Sequence, residues 1–369
     1  MIEKIAKTAI VTLSLLFAGC GSDNAYDGTG LIGGNPSASQ SQPFASLQTE
    51  VFQRHADALV EGILAMREKL STSEHNLTRE DIEELHNGFL TIISEWKSVE
   101  AGYIAAEYES AMIDIPQYFD YYHTGNVDIV ADIDAALNQT GNIETALFKN
   151  SSKSITALEY LLFGRNASLD ELLLLMQANE KRRIQALHVV LDYLETKAAL
   201  IADFYQNDTK FTADLAEASN AMVNTLIDSA YKLKEWRIGE PAGIALKYID
   251  DPDPSRLEYA KSRLSLEAMK AILETHREIM GEHSYANFGS FASENGAEEV
   301  VAQIRTEIAN AQALLEAFDT PLEEAVTTSG TDPKIEQLYA SVKELQRLYY
   351  ESLIQALSLT AEIIEADGD

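Results

Sequence analysis

The segment Lys153–Gly164 places a carboxylate inside a strongly apolar stretch. If this segment is helical, Thr156 and Glu159 share one face at i, i+3 spacing. A buried carboxylate is costly unless it is hydrogen-bonded, paired with a cation or bound to a metal. Two interpretations stay open from spacing alone: Glu159 is a core residue paired with a neighbouring Arg or Lys, or it is a ligand in a cation site.

Histidine spacing gives little support to a metal centre. The seven histidines are His55, His75, His86, His123, His188, His276 and His283. One Glu-x-x-His pair occurs, Glu83 and His86, whereas di-iron bundles need two such pairs and two further glutamates. The sequence contains no HExxH, GxGxxG, Walker A or GxSxG motif, so no motif specifies an enzyme.

Helical periodicity runs through nearly the whole chain from Ala45 onward, and no alternating pattern indicates a sheet. Capping residues at Thr78 and Ser168, each with an acid three residues later, mark two helix starts. The fold class is therefore all-α, with two helical bundles at 45–238 and 255–369 and a linker at 239–254. The predicted helices are Leu47–Leu70, Thr78–Met112, Val127–Leu137, Ile143–Phe163, Ser168–Tyr205, Thr212–Trp236, Ser255–Met280, Ala297–Phe318 and Pro333–Ala366.

The N-terminus has the pattern of an export signal over residues 1–19: lysines, a short apolar run, then Ala-Gly before Cys20. Its end resembles the lipobox of bacterial lipoproteins, which predicts a lipid anchor on Cys20, the one cysteine of the chain. The alternative is an ordinary signal peptide with a chance cysteine. Residues 20–44, rich in Gly, Ser, Asn and Pro, are predicted to be a flexible tether. Gly21 after the cysteine favours the outer membrane, facing the periplasm, by resemblance to Gram-negative sorting signals.

The formal net charge is −31, from 59 acidic and 28 basic side chains. Nucleic acid is excluded as an expected partner because phosphate binding needs Lys and Arg patches. An acidic surface attracts cations, but it is also simply a soluble exterior.

The segment around Glu159 resembles the signature of the imelysin family of bacterial envelope proteins. That signature is GxHxxE followed by Tyr/Phe-Leu-Leu-Phe/Trp-Gly. Glu159 and Tyr160–Gly164 match it, whereas Ser154 stands at the Gly position and Thr156 at the His position.

Further matches lie along the chain in the family's order. Trp96, Tyr103 and Glu107 have the spacing of its Trp…Tyr…Glu helix. The stretch 237–241 resembles the turn between the family's halves, and 115–123, ending at His123, resembles a segment of one branch. Its second-half pattern, E-x-x-x-S-x-x-S-L, is matched by Glu258, Ser262, Ser265 and Leu266.

The resemblance implies two four-helix-bundle-like halves packed as one unit, a cleft near the signature, and export linked to iron or haem acquisition. The site residues it implies are Trp96, Tyr103, Glu107, His123, Thr156, Glu159, Tyr160, Glu258 and Ser262, with Glu159 as the candidate ligand for iron or another hard cation. Some relatives are described as metallopeptidases, but Thr156 is a poor zinc ligand in place of histidine.

Three functions therefore stay open. The favoured one is a non-catalytic binding lipoprotein of the envelope that works with iron-uptake proteins. The alternatives are an imelysin-type metallopeptidase and a partner-binding bundle with a vestigial site.

Overall fold

Helices make up about three quarters of residues 38–125 and 127–361, the part of the chain that this computed structural model describes. The predicted all-α class is confirmed. Two strands of two residues each, Val326–Thr327 and Gly330–Thr331, pair antiparallel in a small hairpin. The predicted signal peptide and Cys20 lie outside the described residues. None of the helices within the described ranges is both long and apolar enough to cross a membrane.

The α-helices are α1 (Ala38–Leu47), α2 (Arg54–Ser73), α3 (Arg79–Ala101), α4 (Ala105–Tyr108), α5 (Ile115–Phe119), α6 (Ile129–Asn138), α7 (Ile143–Ala146), α8 (Ile155–Phe163), α9 (Leu169–Asn207), α10 (Leu215–Lys232), α11 (Glu240–Ala242), α12 (Ser265–Met280), α13 (Phe288–Ala292), α14 (Glu298–Glu316), α15 (Leu322–Ala325), α16 (Pro333–Arg347) and α17 (Ile354–Leu357). π-Helical segments lie at Gln48–Gln53, Leu233–Gly239, Ser293–Ala297 and Leu348–Leu353. Short 3₁₀ turns lie at Ser110–Met112, Ser151–Lys153, Leu246–Tyr248 and Pro254–Arg256.

The two predicted helix starts carry complete capping boxes. Thr78 caps α3 with Asp81, and Ser168 caps α9 with Glu171, so each pair satisfies backbone N–H groups at a helix start. α3 then buries an apolar stripe that includes Ile82, and burying each large aliphatic side chain contributes about 1.5–3 kcal/mol.

The long helices pack in two groups that share one hydrophobic core. α2, α3, α8 and α9 pack on one another, and α10, α14 and α16 pack with α12 or with each other. α12 also packs along α3, and α10 contacts both α3 and α16, so the groups are joined over a broad surface. The described residues belong to one compact unit. The boundaries at 239–254 stay a prediction.

Several of the predicted helices are wrong in length or interrupted, including the one predicted over 168–205, where residues 178–181 are non-helical, and the one predicted from Pro333, which ends at Leu357. The helix predicted over 78–112 ends at Ala101; Gly102 follows, where an added Cβ would lie 2.8 Å from the Phe52 ring. The helix predicted over 143–163 breaks between α7 and α8, and the one predicted from residue 255 begins as a helix only at Ser265. Two of these breaks supply loop atoms to the site described below.

Residues 38–44 of the predicted tether form the first part of α1 instead. Phe44 is fully buried, with ring centroids 5.5 Å from Phe211 and 5.0 Å from Phe291. A single aromatic side chain thus ties this low-complexity segment to the core, which periodicity over a short polar stretch does not reveal.

Candidate functional site

Lys97, on α3, has its ammonium group at the centre of three carboxylates. The side chain is fully buried, and Nζ donates to Glu100 Oε2 at 2.8 Å, Asp120 Oδ2 at 2.8 Å and Glu258 Oε1 at 2.6 Å. Burial alone would lower the pKa of Lys97, but the three carboxylates, Asp120 first among them, outweigh burial and hold that pKa above its ordinary value. Lys97 is therefore a fixed positive charge.

Arg237, in the π-helical segment Leu233–Gly239, supplies a second buried cation. Its Nε donates to Glu258 Oε2 at 2.8 Å, and its Nη2 donates to Glu258 Oε1 at 3.0 Å and to Glu100 Oε2 at 2.7 Å. Burial raises the pKa of Glu100, but Arg237 and Lys97 outweigh it and hold that pKa well below its usual range. We call Lys97, Glu100, Asp120, Arg237 and Glu258 the buried charge cluster.

Asp120 links this cluster to the chain segments around it. Besides Lys97, it accepts from Trp96 Nε1 at 2.9 Å, the Tyr122 amide at 2.9 Å, Thr156 Oγ1 at 3.2 Å and the Tyr259 hydroxyl at 3.3 Å. A carboxylate with so many donors is held in one position. Three sequence-predicted site residues, Trp96, Thr156 and Glu258, thus meet at one centre.

A cavity of about 490 Å³ opens beside this cluster, and we call it the acidic cavity. Its lining includes four carboxylates and one ammonium. The carboxylates are those of Glu100 and Asp120 from the cluster, Glu107 and Asp228; the ammonium is that of Lys232, which pairs with Asp228 at 2.7 Å. Tyr103, Tyr122 and Trp236 provide its aromatic walls. The sequence-predicted residues Tyr103 and Glu107 therefore lie in this cavity.

His123 supports the aromatic wall. Its ring stacks on Trp236 with centroids 4.2 Å apart and planes 8° from parallel, and Nε2 lies 2.9 Å from Glu240 Oε1. These contacts fix the indole at the cavity edge, which gives His123 a positioning role here.

Glu159, on α8, is fully buried outside the acidic cavity. One oxygen, Oε1, accepts from the Lys261 amide at 3.1 Å, the Ser262 amide at 2.9 Å and Ser262 Oγ at 2.8 Å. Oε2 has no hydrogen-bond donor, and Lys261 Nζ lies 3.6 Å from it. Burial raises the pKa of Glu159, and Lys261 and Ser262 offset that effect only in part. This geometry agrees with the interpretation of Glu159 as a core residue beside a basic side chain.

Tyr160 lies elsewhere again. Its hydroxyl donates to Asp134 Oδ1 at 2.5 Å, and its ring lines a different cavity, between α6 and α9. The sequence-predicted residues therefore occupy three neighbourhoods: the cluster with its acidic cavity, the Glu159–Ser262 contact, and the Tyr160 cavity.

These donor sets do not fit a metal ion. In residues 38–125 and 127–361 no group of three or more His, Cys, Asp or Glu side chains could hold one. The carboxylates of Glu100, Asp120 and Glu258 converge on the Lys97 ammonium, which stands where a metal would be needed. Glu159 faces two backbone amides, the Ser262 hydroxyl that donates to it, and an ammonium; amide N–H groups and ammonium groups are not metal ligands.

Four residues of the buried charge cluster were not predicted from the sequence as site residues: Lys97, Glu100, Asp120 and Arg237. A signal for Lys97 existed, because it falls four and eight residues after Ile93 and Phe89, on the stripe that α3 buries. A lysine on that stripe must find counter-charges in the interior.

Comparisons with known proteins agree with this architecture. The Imelysin family model matches residues 51–349. An imelysin-like protein from Psychrobacter arcticum superposes with a TM-score of 0.68 at 16% identity, covering 90% of this chain and 100% of that one. A protein from Parabacteroides distasonis, named as an iron-regulated protein A precursor, superposes with a TM-score of 0.65 at 13% identity, covering 88% and 97%. No curated protein matches the chain. Since the family model covers most of its length, the chain belongs to the imelysin family.

Proposed function

We propose that this protein is a non-catalytic binding component of the cell envelope that holds a small cationic ligand, linked to iron acquisition, in the acidic cavity. The observation that carries the proposal is the composition of that cavity: carboxylates from Glu107 and Asp228 beside aromatic side chains, next to a rigid cluster in which three carboxylates share two cations.

Electrostatics favours a cation in this cavity. The chain has a net charge of −31, and four carboxylates face the cavity against one ammonium. Clefts lined by one sign of charge concentrate ligands of the opposite sign. Tyr103, Tyr122 and Trp236 also line the cavity, and the Lys232 ammonium lies 5.4 Å from the Trp236 ring centroid, so this wall already holds one cation by a cation–π contact.

The buried charge cluster supports binding and offers no catalytic base. Every carboxylate in it accepts hydrogen bonds from Lys97 or Arg237, and the hydrogen bonds tie α3 to Asp120, the π-helical segment and Glu258. A general base must be able to take a proton, whereas these carboxylates already share two fixed cations. The cluster therefore holds one side of the cavity in a fixed position.

The link to iron is proposed because the chain belongs to the imelysin family and because a relative is named as iron-regulated. Because the described residues do not fit direct metal coordination, the iron would be bound as a complex in which a small organic chelator supplies the ligands. A chelate with a positive group fits the charge of the cavity.

The binding experiment is calorimetric titration of the metal-free protein with three iron probes. Ferrioxamine B carries one positive charge, its N-acetylated form is uncharged, and haem carries carboxylates. We expect saturable binding of ferrioxamine B, weaker binding of the acetylated form and least binding of haem. No binding of ferrioxamine B, or equal binding of its acetylated form, would contradict the proposal.

Two exposed carboxylates provide the variant and its matched control. Asp228→Asn removes a charge from the cavity, and Asp192→Asn removes one that pairs with Arg67 on another surface. We expect Asp228→Asn to weaken ferrioxamine B binding about two- to fivefold, as suits a partly exposed charge, and Asp192→Asn to leave it unchanged.

The envelope location and partners belong to the same proposal. A lipid on Cys20 would hold the body at the membrane, facing the periplasm from the outer membrane, within reach of envelope iron-uptake proteins. Mass spectrometry of the mature N-terminus tests the anchor, since Cys20→Ser should abolish the acylated species and release the protein from membranes. Crosslinking in the native host followed by affinity purification tests the partners.

A further inference from the structure

A second cavity, of about 730 Å³, lies between α6, the end of α8 and α9, and we call it the arginine pocket. Its volume lies in the range of small-molecule sites. Leu174 and Leu175 line it with exposed fractions of 69% and 40%, and Leu137 adds further apolar surface. Adjacent exposed apolar side chains of this kind indicate a binding surface for a ligand with an apolar part.

Arg182 and Arg183 line the same pocket and are buried, with exposed fractions of 6% and 5%. Arg182 donates from Nε to Ala136 O and from Nη1 to Gly141 O, each at 2.8 Å. Arg183 donates from Nη1 to the carbonyl oxygens of residues 160 and 161, at 3.0 and 2.8 Å. Neutral carbonyls are thus the acceptors of both guanidinium groups.

Neither arginine has an ion pair with a carboxylate within the described ranges, although acidic side chains outnumber basic ones 59 to 28 in this chain. Arg182 Nη2 is buried with no hydrogen-bond acceptor. Burial lowers the pKa of Arg183, and the neighbouring Tyr160 and Asp134 offset that effect only in part. Buried charges of this kind are costly without a counter-ion.

The acids at the pocket already have partners. Asp134 accepts from the Tyr160 hydroxyl at 2.5 Å and from Arg165 Nη2 at 3.0 Å. Glu171 accepts from the Ser168 amide and hydroxyl, each at 2.8 Å, in the cap of α9. A positive excess therefore remains on the side of the two buried arginines.

The backbone beside them is strained. Asn179, Glu180 and Lys181 have φ values of 47°, 58° and 59°, so three consecutive non-glycine residues interrupt α9 in the left-handed region. Strained backbone of this kind is concentrated at binding and catalytic sites. The interruption directly precedes Arg182, so it sets where both guanidinium groups lie.

We propose that the arginine pocket binds an amphipathic carboxylate of the medium-chain acyl type. The acyl chain packs on Leu137, Leu174 and Leu175, and the carboxylate faces the Arg182–Arg183 side, where planar guanidinium groups match its geometry. This site is separate from the acidic cavity and favours the opposite charge, so it does not depend on the proposed function.

The test is calorimetric titration of the purified full chain with decanoate, with decanol and acetate as matched probes that lack the carboxylate or the chain. We expect decanoate to bind saturably and at least about tenfold more tightly than either control, since the carboxylate and the chain contribute separately. Absence of decanoate binding, or equal binding of decanol, would overturn the proposal.

Exposed positions supply variants that leave the buried arginines intact. Leu174→Glu places a negative charge at the pocket, Leu174→Gln is its uncharged match, and Leu200→Glu adds the same charge elsewhere on α9, where Leu200 is 45% exposed. We expect decanoate affinity to fall about five- to tenfold more in Leu174→Glu than in Leu174→Gln, and to stay unchanged in Leu200→Glu. Equal affinity of the two Leu174 variants, or an equal loss in Leu200→Glu, would place any bound decanoate outside this pocket and overturn the assignment.

Discussion

Replacing Lys97 with Met is the most informative perturbation of the buried charge cluster. Met has a similar length and removes the ammonium that contacts Glu100, Asp120 and Glu258 at 2.6–2.8 Å. Removing one partner of a buried ion pair costs about 3–5 kcal/mol because the remaining charge is left uncompensated.

The structure places Lys97→Met near the lower end of that range. Glu100 and Glu258 keep Arg237 as a cation, and Asp120 keeps neutral donors such as Trp96 Nε1. We therefore expect a loss of about 3 kcal/mol in the free energy of unfolding, which is a large share of the 5–15 kcal/mol typical of a folded protein.

Urea denaturation at pH 7 with linear extrapolation measures this loss. Lys149→Met is the matched control, because Lys149 is 45% exposed and pairs with Asp132, and an exposed pair contributes about 0–1 kcal/mol. The loss in Lys97→Met should shrink as pH falls below about 4.5, since Lys97 helps to keep the pKa of Glu100 low and that contribution disappears on protonation. A loss under about 1 kcal/mol, or one equal to that of Lys149→Met, would refute the interpretation of Lys97 as the charge that holds the cluster together.

Three further predictions concern titrating groups and are tested by urea denaturation across pH. Burial raises the pKa of Glu159, so the stability that its carboxyl group contributes is full below about pH 4.5 and is lost as the pH rises above it. Glu159→Gln should therefore gain stability relative to wild type as the pH is raised from 4.5; a constant difference would contradict this. Burial lowers the pKa of His276 to about 3, so the stability that the neutral ring contributes is full above pH 6.5 and is lost as the pH falls toward 3. His276→Gln should therefore reduce the loss of unfolding free energy between pH 6.5 and 3; an unchanged loss would contradict this prediction. Burial lowers the pKa of His55, but hydrogen bonds to Glu278 and Glu95 outweigh burial and raise it. His55→Gln should therefore reduce the free energy of unfolding more at pH 6 than at pH 8; a larger reduction at pH 8 would contradict this prediction.

The fold could be predicted because its signals are local. The apolar stripe of α3 and the capping residues Thr78 and Ser168 act within a few residues, so periodicity and capping find them. The family signature around Glu159 likewise indicated the correct fold although two of its three defining residues differ.

The site was less predictable because its contacts are distant in sequence. Lys97 meets Glu258, 161 residues away, and Glu159 meets Ser262, 103 residues away. The Glu159 contact depends on 257–264 not being helical, since the Ser262 amide must point at Glu159 instead of a carbonyl four residues earlier. Because a buried carboxylate needs hydrogen-bond donors, this stretch is not helical although its sequence pattern is. Capping and periodicity act within a few residues, so they do not predict this contact.

The most direct test of the central claim is native mass spectrometry, with metal analysis, of the protein purified from its own host. The proposed function predicts that any iron is accompanied by the mass of a small organic chelator, and that Asp228→Asn lowers the occupied fraction whereas Asp192→Asn does not. Iron bound one per chain with no accompanying organic mass would show that protein side chains coordinate it, and would contradict the account of the acidic cavity.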